Sequence, residues 1–266
     1  MISLLHVFHR RSDLSLEECQ RYWREIHTPL ALRHAPALRV LGYVQAHTIE
    51  HPLADAVRAS RADIEPYDGV AEFSWKDRED LTTALHSPEG KTAAAKLIEN
   101  ERRFIDHSRS SLWLAKKHVF IDREPENKAD QQSSITTLFF AFRRLPSLSL
   151  EECQSYWRQT HGALVLQHAA AFPLRRYVQA HTMTDPLNDV LRASRGAMEP
   201  YDCVAQMDAD LGELVTAAST PQGQRAAEEF LADERRFIDP ARSSLWLAKR
   251  EVVITPPPQP LSAGAS

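Results

Sequence analysis

LSLEECQRYWREIHT (14–28) and LSLEECQSYWRQTHG (148–162) are one stretch of sequence written twice, 134 residues apart. The same offset carries YVQAHT (43–48 and 177–182), the ten-residue stretches that begin Pro-Leu and end RASR (52–61 and 186–195), and EPYD (65–68 and 199–202). From Leu14 to Ser74, 35 of 61 aligned positions are identical. A one-residue deletion then shifts the offset to 133, and it resumes at ERRFID (101–106 and 234–239) and RSSLWLAK (109–116 and 242–249). The chain is therefore an internal duplication, and a repeat of this length is best read as a structural unit. The charged, polar run IDREPENKADQQSS (121–134) separates the copies and reads as a linker. The units are placed at 1–121 and 135–254, with the linker at 122–134. The Pro- and Ser-rich tail, 255–266, is expected to be disordered.

Within one unit the pattern orders itself. ISLLHVFH (2–9) is apolar-rich with no helix start and reads as a strand. Ser15 precedes Glu18 by three residues, as Ser149 precedes Glu152, which is a capping box. Leu16, Cys19, Tyr22, Trp23 and Ile26 follow at helical spacing. The helix is expected to stop beside His27, at Pro29 in the first copy and at Gly162 in the second. Residues 39–48 alternate as a strand, a long connection with one short helix spans 49–67, and DGVAEFSW (68–75) is a third strand. Two helical stretches (77–86 and 88–105) lead to a last strand at 110–120. The order β-α-β-β-α-β predicts an α+β fold of two ferredoxin-like units. Each would bury its bare sheet face on the other, packed sheet to sheet as one pseudo-symmetric eight-stranded barrel.

Composition limits the function classes. At roughly 100–150 residues per domain, 266 residues suit two domains. A net charge of −4 offers no basic surface for nucleic acid. No apolar run approaches the about 18 residues of a membrane span, and the N-terminus reads as a strand and not as a signal peptide. Three cysteines, Cys19, Cys153 and Cys203, make no disulfide framework and suit a reducing, cytoplasmic setting. The expected state is a monomer containing its own pseudo-dimer, with a further homodimer left open.

The string YWREIHTPL, with Tyr43, His47 and DGVAEF downstream, resembles the EthD family of the dimeric α+β barrel superfamily. The matching residues are Tyr22, Trp23, His27, Pro29, Leu30, Tyr43, His47, Asp68 and Gly69. In the second unit they are Tyr156, Trp157, His161, Leu164, Tyr177, His181 and Asp202, with departures at Ala163 and Cys203. The resemblance implies work on small molecules without an obligatory cofactor. Relatives include anthrone oxygenases, dehydratases and decarboxylases of aromatic or polyketide compounds, and distant superfamily members bind haem.

Four histidines are the candidate catalytic groups. His27 and His161, at the expected helix ends, would feel a dipole that raises the imidazole pKa and suits acid–base work; a C-terminal cap is the other reading. His47 and His181 share a sheet face with Tyr43 and Gln45, and with Tyr177 and Gln179. Such a row fits either a pocket or a network between the units. Tyr22, Trp23, Tyr156 and Trp157 would divide between core packing and a cavity wall. Asp68 and Asp202 would pair with a histidine or cap a turn. His34 and His168 suit surface or packing positions. The repeated arginines of ERRFID and RSSLWLAK suit ion pairs at the last helix or at the seam, and the helix of the long connection suits a lid. No HExxH or His–carboxylate spacing accompanies the histidines, so no metal site is expected. Haem would need an axial histidine, of which the sequence carries no specific sign.

The expectation is therefore a cofactor-independent enzyme on a small apolar aromatic, cyclic or polyketide-like compound in a catabolic pathway. Its chemistry would be dehydration, decarboxylation or isomerisation. The alternatives are a cofactor-independent oxygenase of anthrone-like substrates and a non-catalytic binding protein.

Overall fold

The computed structural model describes residues 1–123 and 135–262. In the first half β1 (Ile2–Arg10) leads through α1 (Leu16–Tyr22), a π-helical turn (Trp23–His27) and α2 (Thr28–His34) to β2 (Gly42–Ile49). The connection holds α3 (Pro52–Arg58); β3 (Gly69–Trp75), α4 (Arg78–His86), α5 (Pro88–Glu101) and β4 (Ile105–Asp122) complete the half. The second half repeats the order with β5 (Ile135–Arg144), α6 (Leu150–Tyr156), a π-helical turn (Trp157–His161), α7 (Gly162–Gln167) and β6 (Leu174–Thr182). It continues with α8 (Leu187–Arg195), β7 (Cys203–Asp210), α9 (Leu211–Ala218), α10 (Pro221–Glu234) and β8 (Ile238–Ile254). Both capping boxes form: Ser15 and Ser149 accept from the backbone of Glu18 and Glu152, whose carboxylates reach back to the serine N–H.

The strands close one barrel in the order β1-β3-β2-β8-β5-β7-β6-β4. Packing of sheet on sheet is not the whole of the joint. The halves are hydrogen-bonded edge to edge, β2 to β8 and β4 to β6. The length of β4 and β8 makes this possible. Ile105–Ala115 of β4 lies on β1, and Ala115–Asp122 runs on to lie along β6. Closure leaves no free sheet edge.

Alternation along each strand sorts the side chains. Leu5, Val7, Trp113, Phe139, Val204 and Trp246 fill the barrel. Tyr67 and Tyr201, equivalent residues of the two copies, touch hydroxyl to hydroxyl at 3.0 Å across the pseudo-twofold. One end of the interior is charged: Lys117 Nζ donates to Glu72 at 2.5 Å, and Arg250 donates to Asp208 at 2.9 Å. The opposite sheet face packs on the helices. Phe8, Cys19 and Trp23 share one core; Phe142, Cys153 and Trp157 share its counterpart.

Each connection crosses to the other half. Ile64 N–H donates to Ser243 O, and Met198 N–H donates to Ser110 O. Thus α3 of the first half lies over the second, and α8 over the first. Of the expected linker, 124–134 lies outside the described residues. The tail departs from the expected disorder at least to Ser262: its N–H donates to Val119 O at 2.7 Å, and Pro256 sits against Gly42. Residues 263–266 lie outside the described residues.

Candidate active site

The candidate histidines do not end their helices. Trp23–His27 and Trp157–His161 are single π-helical turns inside a helix that continues into α2 and α7. The N–H of Thr28 reaches Trp23 O, five residues back, and Gly162 reaches Trp157 O in the same way. A proline in an α-helix crowds the carbonyl four residues before it, and the extra residue of a π turn gives the room that Pro29 needs. Gly162 has ordinary helical angles and is no cap. With no helix end beside it, His27 has no dipole to raise its pKa; burial lowers it instead, opposed by the charge of Glu101 and the Asn100 bond.

One residue separates the two histidines chemically. In the second half, His161 Nδ1 lies 2.8 Å from Asp233 Oδ2, and Tyr156 donates its hydroxyl to Asp233 Oδ1 at 2.5 Å. Burial alone would raise the Asp233 pKa, but the hydrogen bonds from His161 and Tyr156 hold it below the ordinary carboxylate range. The imidazole is thus fixed with its proton on Nδ1, leaving Nε2 without a partner among the described residues. In the first half Asn100 stands in the place of Asp233. His27 Nδ1 lies 2.9 Å from Asn100 Oδ1, and Asn100 Nδ2 donates to Tyr22 at 3.0 Å. An amide offers the same geometry without the charge.

The space in front of each histidine also differs. His161 lines a cavity of about 190 Å³ between sheet and helices. Its wall is apolar, with Phe140, Phe142, Val165, Met207 and Phe230, together with the ring of Tyr177. Leu53 and Val57 from α3 cover it, so the lid of this cavity comes from the first half. Two charged groups join His161 on the wall, Glu234 and Arg61. The related first-half cavity, under α8, is lined by Phe73, Leu81, Leu97 and Leu191 and does not include His27. Beside Glu101 of that wall, His6 and His107, stacked at 5.7 Å, stand where the second half has Phe140 and Pro240.

The other candidates are brought together as buried networks. Trp23 Nε1 donates to Tyr43, Gln45 Nε2 donates to Tyr43, and Gln45 Oε1 accepts from His47 at 3.1 Å. Tyr177, Gln179 and His181 repeat the arrangement, with Gln179 also donating to Trp157 O. Burial lowers the pKa of His47 to about 4 and of His181 to about 3. Neither ring lines the cavity; His181 stacks on Trp157 at 4.9 Å. Asp68 and Asp202 accept from the backbone N–H and the guanidinium of Arg10 and Arg144, tying β1 to β3 and β5 to β7. Of the two adjacent aromatic residues, Trp23 and Trp157 go to the core, while Tyr22 and Tyr156 point to Asn100 and Asp233.

Three groups of this site were not marked as such in the sequence. Asp233 lies just before ERRFID, Glu234 opens it, and Arg61 ends RASR. Asp233 carried a usable signal: it is a charged residue opposite a neutral Asn100 beside an otherwise repeated motif. Arg61 and Arg195 pair across the seam with Glu234 and Glu101 respectively. Among the described residues no cluster of three or more His, Cys, Asp or Glu side chains is placed to hold a metal ion, and no helix is long and apolar enough to cross a membrane.

Comparison with known proteins bears on this site through the fold. The EthD domain model matches residues 11–108 and 145–241. The crystal structure of an anthrone oxidase-like protein is similar over 95% of this chain and 93% of its own, with 12% identity and a TM-score of 0.56. An ethyl tert-butyl ether D (EthD) family protein from Bacillus halodurans C-125 matches 44% of this chain and 97% of its own, at 18% identity and a TM-score of 0.31. A comparison with curated protein sequences finds no match.

Proposed function

The chain belongs to the EthD family, and from that premise we propose that it is an enzyme moving protons on a small apolar ring or carbonyl compound. On this reading each half is a ferredoxin-like unit, and only the second carries the reaction, without a bound cofactor. His161 is the acid–base group. The observation that carries the proposal is the Asp233 carboxylate on His161 Nδ1 at the wall of an apolar cavity. Asp233 fixes the tautomer and stabilises the imidazolium that forms when Nε2 takes a proton. Tyr156 holds the second carboxylate oxygen and so the direction of the first. The apolar wall keeps water from competing for the base, and a cavity below the usual 300–1,000 Å³ fits a compound of one or two rings. Dehydration, decarboxylation and isomerisation all begin from such a proton transfer.

A cofactor-independent oxygenase is the second reading. It needs the same base, since a deprotonated acidic substrate itself reduces O2. The likeness to an anthrone oxidase-like protein favours keeping it. Oxygen uptake with anthrone separates the two: uptake that disappears in His161→Gln supports the oxygenase, and product formation under argon supports the lyase or isomerase. If His161→Gln leaves every conversion unchanged, the proposal fails; if the wild type binds a ligand and converts none, the chain is a binding protein.

A further inference from the structure

A base that removes a proton from carbon leaves an electron pair, and an adjacent group must receive the charge. The second-half cavity has a permanent cation on its wall. Arg61 comes from the first half, three residues beyond α3, and its side chain is 13% exposed. Its Nε faces Glu234 Oε2 at 2.8 Å. One terminal nitrogen donates to Ser60 Oγ at 3.0 Å and the other to Ala227 O at 3.3 Å. A guanidinium has five N–H groups, so two remain without an acceptor among the described residues. The equivalent arginine of the first-half cavity is committed differently. Arg195 grips Glu101 with two bonds, Nε to Oε2 at 2.7 Å and Nη2 to Oε1 at 3.0 Å. With Nη1 donating to Ser194 Oγ at 3.1 Å, Arg195 has as many N–H groups engaged as Arg61, but two of them are held by one carboxylate, and His27 does not share its cavity wall as His161 shares that of Arg61. The hold of Glu234 on Arg61 is weaker, since burial pushes the Glu234 carboxyl above its ordinary range against the attraction of Arg61.

Resting on the acid–base role of His161, we propose that this site takes a one- or two-ring compound with an acidic C–H beside a carbonyl, and that Arg61 holds the oxygen on which charge develops. His161 Nε2 takes the proton from carbon. The C–H electron pair becomes the C=C bond of an enolate, the carbonyl π pair moves to oxygen, and the free N–H groups of Arg61 receive it. The first half thus supplies the electrophile and the second half the base.

Binding of an enolate mimic tests this without turnover. The probes are 2-hydroxy-1,4-naphthoquinone, an anion at neutral pH, and its neutral isostere 2-methyl-1,4-naphthoquinone, titrated against the full chain. The wild type is expected to prefer the anion by about tenfold or more. Arg61→Met should abolish that preference and leave the neutral quinone bound as before, whereas Arg58→Met, on the same lid, should keep it. A wild type without the preference, or an Arg61→Met that retains it, overturns the proposal. If Arg61→Met binds neither quinone, Arg61→Lys decides. Loss of most of the preference with neutral binding intact supports the fork; an unchanged preference overturns it. Failure of the acid–base reading shows instead as turnover indifferent to His161→Gln, which leaves this binding result standing.

Discussion

His161 and His27 occupy equivalent positions and differ by the partner of Nδ1, a carboxylate in one and an amide in the other. Asp233→Asn removes that charge and keeps the contact. Its expected effect is a loss of turnover of about 10²–10⁴-fold with little change in stability, measured as kcat beside the thermal midpoint. His27→Gln should leave turnover intact, because His27 is not part of the wall of the first-half cavity. Both histidines were legible as candidates, since each sits at one place in a repeated motif. Their inequality was not, because it depends on residues 72 or 73 positions away in sequence that meet only in the fold. The same holds for Arg61. Its side chain meets Glu234 across the seam, and nothing near RASR announces the partner.

At the scale of elements the helices and strands followed their patterns, and the errors lie where a local rule has an uncommon exception. Pro29 and Gly162 predicted helix ends, but a π turn accommodates the proline, and the glycine is there for space. A Cβ on Gly162 would come within 2.6 Å of the Phe120 ring. Gly162→Thr, which restores the first-half residue, should therefore destabilise the fold by about 1–3 kcal/mol through overpacking. Denaturant unfolding measures it, and an unchanged midpoint would show that Phe120 yields. Ser149→Ala removes a formed capping box and should cost about 1 kcal/mol. The crossing of α3 and α8 was hidden because a sequence can mark a connecting helix but not the half it lands on.

For the whole molecule, duplication predicted closure of a barrel but not its charged interior. Glu72, Lys117, Asp208 and Arg250 follow the alternation of Val70, Ala115, Val204 and Ala248 to the inside, and nothing in their spacing marks them as partners, because they meet only across the closed barrel. Burial raises the Glu72 pKa, but Lys117 and Arg250 bring it down to about 2. Lys117→Met should then destabilise by about 3–5 kcal/mol, by leaving a buried carboxylate without its partner, and Glu72→Gln added to it should recover much of the loss. The buried histidines set an acid limit. Burial takes the pKa of His6 to about 3, of His47 to about 4 and of His181 to about 3, from 6.5. Below pH about 6.5 the unfolded chain binds protons that the folded chain refuses, so stability is full above that pH and falls as pH drops towards 4. Together the three should cost several kcal/mol by pH about 4.5, seen as a thermal midpoint that declines through this range. A midpoint constant from pH 7 to pH 4.5 would contradict it.

On the proposed chemistry His161, and not His27, moves a proton on carbon. Deuterium exchange at the C1 methylene of 2-tetralone, a two-ring ketone with an acidic C–H, measures that step directly by proton NMR in buffered D2O. The wild type and His27→Gln should both exchange these protons faster than buffer alone. His161→Gln should slow the catalysed rate by about 10²–10⁴-fold. Exchange by His161→Gln at the wild-type rate, or by the wild type at the rate of buffer, would contradict the account.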